Sequence, residues 1–156
     1  MTSIGSKLLA GTLLCLSASL AGAQPSAEAT EAQHLPVVQL GAGMHIIKAE
    51  VAQTPREHTI GLMFRTSMGS NEGMIFAFPQ VGKQCFWMKN TLIPLAVAFV
   101  ADDGRIVNLD EMQAQTENPH CSSEPVRFVL EMNKGWFSKH GLKAGDKLSG
   151  PPFSKP

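Results

Sequence analysis

The side chains best suited to chemistry in this sequence lie in one run, Cys85-Phe86-Trp87-Met88-Lys89-Asn90-Thr91-Leu92-Ile93-Pro94-Leu95. A thiol, an indole, a thioether, an amine, an amide and a hydroxyl follow one another there, ahead of a proline stop. Apolar stacking area and directional hydrogen-bonding groups coincide, as a ligand site requires. Trp87, Met88, Lys89, Asn90 and Thr91 are therefore candidate ligand-binding residues. The structural alternative is a core strand that ends in a turn: Trp87 and Met88 buried, Lys89 solvated and Asn90 capping the turn.

Catalysis asks for more. A hydrolase needs a nucleophile, a base and an orienting group, and the residues that could fill those roles are Cys85, His120 or His58, and Glu131. No local signature links them, and oxidation would silence Cys85. Stacking and hydrogen-bonding groups without a nucleophile–base pair fit binding better than catalysis, so no catalytic residue is assigned. Soft-metal handling is a second alternative. Met44, Met63, Met68, Met74, Met88, Met112 and Met132 together with the histidines suit cuprous copper. No tight Met-x-x-Met cluster exists, however, and scattered methionines fill core gaps. The reading calls for no metal and no cofactor.

The compartment comes from the N-terminus. Met1 to Lys7 carry one positive charge, Leu8 to Leu20 are apolar apart from small and hydroxyl residues, and Ala21-Gly22-Ala23 is a small-x-small cleavage site. This predicts a signal peptide over 1–23, cut after Ala23, and a periplasmic or secreted protein. The apolar run is too short and diluted for a membrane anchor, and Leu14 ahead of Cys15 argues against lipid attachment. Cys15 leaves with the signal, so Cys85 and Cys121 remain, and an oxidising compartment predicts a disulfide between them. It would close a loop of 37 residues, worth roughly 4 kcal/mol by chain entropy. Two free thiols beside His120 are the alternative.

Signal removal takes one basic residue, Lys7, from 13 basic and 13 acidic ones, leaving a nearly neutral chain. No basic stripe exists to neutralise phosphates or an anionic membrane surface. The expected partner is a small ligand or an envelope protein, with no nucleic acid, no membrane insertion after cleavage, and a monomeric state.

These side chains need a scaffold, and 156 residues with 44% hydrophobic content suffice for a single core. Residues 24–36 read as a flexible lead-in, 37–150 as one β-rich domain, and 151–156 as a tail. Alternation predicts a hairpin over Val37–Leu40 and Met44–Ala52. Thr54-Pro55-Arg56-Glu57 is a capping box opening a helix that runs to about Phe64 or Arg65, with Ile60, Phe64 and Met63 turned inward and Gly61 packed closely on another backbone. Met74–Phe78 reads as a buried strand ended by Pro79. Leu95–Val100 is apolar on both faces and predicts an interior strand, with Ala96 and Ala98 leaving room for a ring or ligand. Asp103-Gly104 turns into a strand over Arg105–Leu109. Glu111–Glu124 is a long loop pinned by Cys121. Val126–Met132 sets Phe128, Leu130 and Met132 on one face and Arg127, Val129 and Glu131 on the other. Lys134–His140 gives one or two helical turns stopped by Gly141, and Lys147–Ser149 a last strand. About eight short strands with one or two short helices make a mainly β fold, a compact sandwich or partly closed barrel.

Several of these segments recur together elsewhere. Gly61-Leu62-Met63-Phe64-Arg65, Gly73-Met74-Ile75-Phe76, Phe86-Trp87-Met88-Lys89-Asn90-Thr91 with Pro94-Leu95, Asp103-Gly104, Val129-Leu130-Glu131 and Gly145-Asp146 resemble, in this order, the bacterial and archaeal family catalogued as domain of unknown function 192. The resemblance covers about Ile46 to Leu148. It implies a compact, mostly β fold, often exported, and brings no activity. Arg65 and Glu131, which lie in these segments, complete the candidate ligand-binding set. One position departs from the pattern: Ala96 stands where the family usually has Asp after Pro-Leu, which weakens an enzyme reading built on that strand.

Overall fold

The period-two alternation of residues 37–52 produces an antiparallel hairpin, β1 (Val37–Ala42) and β2 (His45–Ala52), turned at Gly43, where φ is 60°. The computed structural model describes residues 30–153. The predicted signal peptide with Cys15 and the cut after Ala23, the start of the lead-in and the last three residues lie outside the described residues. The end of the lead-in is fastened rather than free. The Gln33 side chain donates to the Glu57 and Gly61 carbonyls at 2.9 and 3.0 Å, and the Leu35 amide donates to Glu50 at 2.7 Å. Its polar composition concealed these long-range bonds.

Helix α1 (Pro55–Ile60) has the predicted cap: Thr54 Oγ1 accepts from the Glu57 amide at 3.3 Å, and the Glu57 carboxylate accepts from the Thr54 amide at 2.9 Å. The Gln53 amide, donating at 2.7 Å, and the Thr54 amide hold the Glu57 carboxyl below its ordinary range. The helix stops short of Phe64 because Gly61 takes φ 49° and ψ −130°, which ends the hydrogen-bond run. Leu62 is therefore buried in place of Phe64, which is half-buried. The close neighbour of Gly61 is the Phe76 ring, 3.3 Å from where a Cβ would stand, and not another backbone.

The next strand, β3 (Glu72–Gly82), runs parallel to β2 and continues through Pro79 instead of ending there. Its register with the later partner breaks between Ala77 and Gly82, and there a residue without an N–H costs no ladder bond. A two-residue strand β4 (Cys85–Phe86) follows, then β5 (Leu95–Val100), β6 (Ile106–Met112), a second two-residue strand β7 (His120–Cys121) and β8 (Val126–Asn133). Helix α2 (Trp136–Lys139) and β9 (Leu148–Ser149) complete the chain. The loop expected over Glu111–Glu124 thus contains β7, which pairs with β4.

Seven strands form one sheet in the order β6-β5-β8-β3-β2-β1-β9. It curls until its ends meet: the amides of Ile106 and Gly145 donate to the carbonyls of Asp146 and Ile106 at 2.8 Å, and the Leu148 amide donates to the Gly104 carbonyl at 2.8 Å. Gly104 has φ 83°, and a Cβ there would strike the Leu148 carbonyl. The fold is thus a curled, barrel-like sheet rather than a sandwich. Two apolar clusters lie on its two faces. The inner one contains Leu40, Ile47, Ile75, Leu130 and Met132, with Trp136 and Phe137 of α2. The outer one contains Met74, Phe76, Leu95, Val97, Phe99 and Val129, covered by Leu62 and Met88. Every residue of β5 is buried, as its unbroken apolar run predicts.

Ala96 and Ala98 belong to the inner cluster. The space beside them is taken up inside the barrel and does not adjoin Trp87, because period-two alternation sends Leu95 and Val97 to the outer face instead. The departure at Ala96 therefore concerns the interior.

Candidate functional site

Pairing across the sheet places Glu50 of β2, Met74 of β3, Glu131 of β8, Val97 of β5 and Asp110 of β6 in one transverse row. Glu131 belongs to the outer face, since Leu130 and Met132 on either side of it point inward. Three carboxylates thus stand along one row, roughly two strand spacings or 10 Å apart, and each meets a different environment.

Glu50 is paired. The Arg65 guanidinium lies 2.7 Å from its carboxylate, with both side chains nearly buried, and donates also to the Gln33 carbonyl at 2.6 Å. Asp110 is paired as well: His120 Nδ1 donates to it at 2.6 Å. Burial works against ionisation of Asp110, but that bond and the Glu111 amide outweigh it and hold the carboxyl below its ordinary value. Glu131 has neither arrangement. It is 4% exposed, no side-chain hydrogen bond or ion pair engages it among the described residues, and burial alone pushes its carboxyl up to about 8. At neutral pH it holds a proton.

A pocket of about 290 Å³ opens over Glu131. One wall is α1 and the turn after it, with His58, Gly61 and Leu62. The other is the segment from Gln84 to Thr91, with Phe86 and Trp87, and β3 contributes Phe76 and Phe78. The rings meet edge to face: Phe86 is 4.7 Å from Phe76 and 6.4 Å from Phe78, between centroids. His58 tilts against Phe78 at 4.4 Å, and its Nε2 lies 3.0 Å from the Ala52 carbonyl, which only accepts, so Nε2 carries the proton and Nδ1 is left as an acceptor.

The two walls are tied to each other at one point, and the Trp87 segment is tied further to the loop beyond β6. The Phe64 amide donates to the Asn90 carbonyl at 2.9 Å, joining the turn after α1 to the Trp87 segment. Phe64 and Asn90 both have positive φ, 65° and 56°, a conformation natural to Asn and costly for Phe. The Met88 amide donates to the Thr116 carbonyl at 2.8 Å, and the Gln115 amide to the Thr91 carbonyl at 3.0 Å. Cys85 and Cys121 form a disulfide across the β4–β7 pair, with Cα atoms 4.1 Å apart. This is the predicted link, except that both ends stand on strands.

Of the seven candidate ligand-binding residues, Trp87, Thr91 and Glu131 line this pocket. Trp87 is 49% exposed and Thr91 is buried. Met88 is fully buried in the outer cluster, because the chain alternates and turns it inward from Trp87. Lys89 and Asn90 are exposed beyond the lining, with Lys89 Nζ 5.7 Å from the centre of the Trp87 ring. Arg65 is held by Glu50 at a separate hollow with His34, Lys48 and Ser67. The walls His58, Gly61, Phe76, Phe78 and Phe86 were not in the candidate set. Their signal was Phe76 and Phe78 two apart beside Met74 on a strand, which puts them on the face opposite Ile75.

Of the residues weighed for hydrolysis, Cys85, His58 and Glu131 line the pocket, with Cys85 taken up in the disulfide, while His120 serves Asp110. Among the described residues no group of three or more His, Cys, Asp or Glu is arranged to hold a metal, while Met74, Met88, Met112 and Met132 are fully buried in the two clusters. No described helix is long and apolar enough to cross a membrane. The disulfide points to a non-cytoplasmic protein.

A family model described as DUF192, Uncharacterized ACR, matches residues 37–150. Two solved structures are similar. One is a protein of unknown function from Novosphingobium aromaticivorans DSM 12444, 36% identical, with a TM-score of 0.72, covering 83% of this chain and 100% of that one. The other, from Sinorhizobium meliloti 1021, is provisionally described as a transcription regulator; it is 35% identical, with a TM-score of 0.68, and covers 72% of this chain and 90% of that one. No curated protein matches.

Proposed function

From the premise that the chain belongs to the uncharacterised DUF192 family, we propose that it is an exported binding module whose ligand seats in the Glu131 pocket. One observation carries this reading: Glu131, 4% exposed, has no side-chain partner among the described residues, yet lines an open pocket walled by aromatic rings. Burying an unpartnered acid costs stability, and the neighbouring carboxylates of the same row are both paired. A group that a ligand completes accounts for the difference. The lining matches the general form of small-molecule sites, mostly apolar with a few placed polar groups.

The pocket volume, about 290 Å³, suits a compact molecule or one side chain of an envelope protein. The disulfide and the N-terminal sequence support a periplasmic or secreted setting. The regulator description of the Sinorhizobium protein favours no nucleic-acid reading here, since the near-neutral charge offers phosphates little.

A thermal-shift screen of small polar and aromatic compounds tests the reading. Compounds that raise the melting temperature of the wild type should lose that effect in Trp87→Ala, whose ring forms a half-exposed wall, and in Glu131→Gln. Compounds that stabilise all three proteins equally would place the ligand elsewhere and defeat it.

A further inference from the structure

The groups lining the pocket also indicate which class of ligand it takes, and this step rests on the binding-module reading above. The lining is rich in acceptors and poor in donors. Once ionised, Glu131 offers both carboxyl oxygens, and His58 offers Nδ1, because its Nε2 proton is committed to the Ala52 carbonyl. Thr91 already donates to the Lys89 carbonyl at 3.4 Å, leaving its oxygen lone pairs. Among the described residues the lining side chains left to donate are few, chiefly the Gln84 amide at the rim and the Trp87 indole N–H. Among the described residues no Lys or Arg lines the pocket: Arg65 is held by Glu50, and Lys89 lies over Trp87 outside the lining. The remaining surface is aromatic, and ring faces attract cations, more strongly once water is excluded.

We infer that the pocket binds an alkylammonium ion, its N–H groups donating to the Glu131 carboxylate and its methylenes lying against Phe76, Phe78, Phe86 and Trp87. Two sources share this chemistry, a free small amine and the side chain of a lysine on another protein. Binding has a defined proton balance. The empty pocket holds Glu131 protonated at neutral pH; the ammonium keeps its own proton, and Glu131 releases one to solvent as the ion pair forms. Few charged groups face Glu131 among the described residues. β3 and β5 bring Met74 and Val97 beside it in the row, α1 brings His58 as the other titratable lining group, and the segment after β4 brings only uncharged lining residues.

The test is titration of the full folded domain with n-butylamine hydrochloride, with lysine capped at both backbone ends, and with 1-butanol as the neutral molecule of the same length. Binding is followed by amide shifts in two-dimensional NMR from pH 6 to 9. Both amines should shift Trp87, Thr91 and Glu131, with affinity rising about tenfold per pH unit up to about pH 8 and then levelling. In Glu131→Gln the affinity should drop and its pH dependence disappear. In Trp87→Leu it should weaken several-fold with the pH dependence kept. Butylamine binding without the capped lysine assigns a free amine; equal binding assigns a lysine side chain. Equal binding of 1-butanol, or amine affinity that ignores pH in the wild type, overturns the ammonium assignment while the pocket reading survives. No shift at the pocket from any probe, in a protein whose pocket compounds from the thermal screen also fail, overturns both.

Discussion

Leu130 and Glu131 are neighbours on β8 and face opposite sides of one sheet. On the inner side Leu130 meets side chains from strands all round the barrel and the two aromatic residues of α2, and the apolar set is complete. On the outer side Glu131 lies under a cover made of two pieces, α1 with its following turn, and the segment from Gln84 to Thr91. Where the pieces meet, the sheet is not fully capped. A closed interior is decided by strand alternation alone. A covered exterior depends on how separate segments are tied, and the untied part is where a ligand can enter.

That contrast can be broken at the cover first. Replacing Cys85 and Cys121 together by Ser should lower unfolding free energy by roughly 4 kcal/mol, with amide exchange rising in 84–91 before it rises in β8. A loss within about 0.5 kcal/mol, the size of an ordinary surface substitution, would mean that packing alone holds the cover. On the inner side Leu130→Ala should cost about 3 kcal/mol, measured by chemical denaturation, because nothing can shift inward to fill the space. A smaller loss, equal to that of an exposed site, would show that the interior is looser than the outer face.

Glu131 sharpens the comparison through pH. Its folded-state value of about 8 lies above its ordinary 4.5, so between these the folded protein holds a proton that the unfolded chain has released. The stability tied to protonation is fully present below pH 4.5 and is lost as pH rises to about 8, at up to 1.4 kcal/mol per pH unit, roughly. Wild type minus Glu131→Gln should show that slope in denaturation midpoints across the window; parallel curves would contradict a desolvated carboxyl. The smallest effect belongs to the fastening of the cover at α1. Thr54→Ala removes the acceptor for the Glu57 amide and should cost about 1 kcal/mol, read as a shift of the denaturation midpoint.

How far these features were legible depended on the range of the interaction that makes them. The capping box is four residues long, and the β5 run is covered on both faces wherever it sits, so both followed from local pattern. Two cysteines in an oxidising compartment left one pairing. The face of Glu131 was also visible, opposite Leu130. Its lack of a partner was not, because that depends on register across five strands, which gives Arg65 to Glu50 and His120 to Asp110. The misplacement of Ala96 and Ala98 has the same origin: alternation fixes which residues share a face, not which face is the interior. Met88 shows the limit within a single segment, since a Trp-Met pair turns one residue out and the other in, and composition does not say which.

Strand β9 contributes two residues, and only Leu148 of them to the core, yet its position bears on how copies of this protein behave together. Sheets that end in open strands offer unpaired N–H and C=O groups to any other extended chain, the usual beginning of strand addition and fibre growth. Here β9 occupies the outer side of Gly41 and Ala42, and the backbone just ahead of it bonds to Ile106. Farther along β6, the Asn108 side chain bonds to the Cys121 carbonyl and the Ser123 amide, drawing the β7 region along that strand. The chain itself covers the Gly41–Ala42 end of β1 and part of β6. A two-residue strand that also buries Leu148 thus shields the end of β1 from strand addition by another copy.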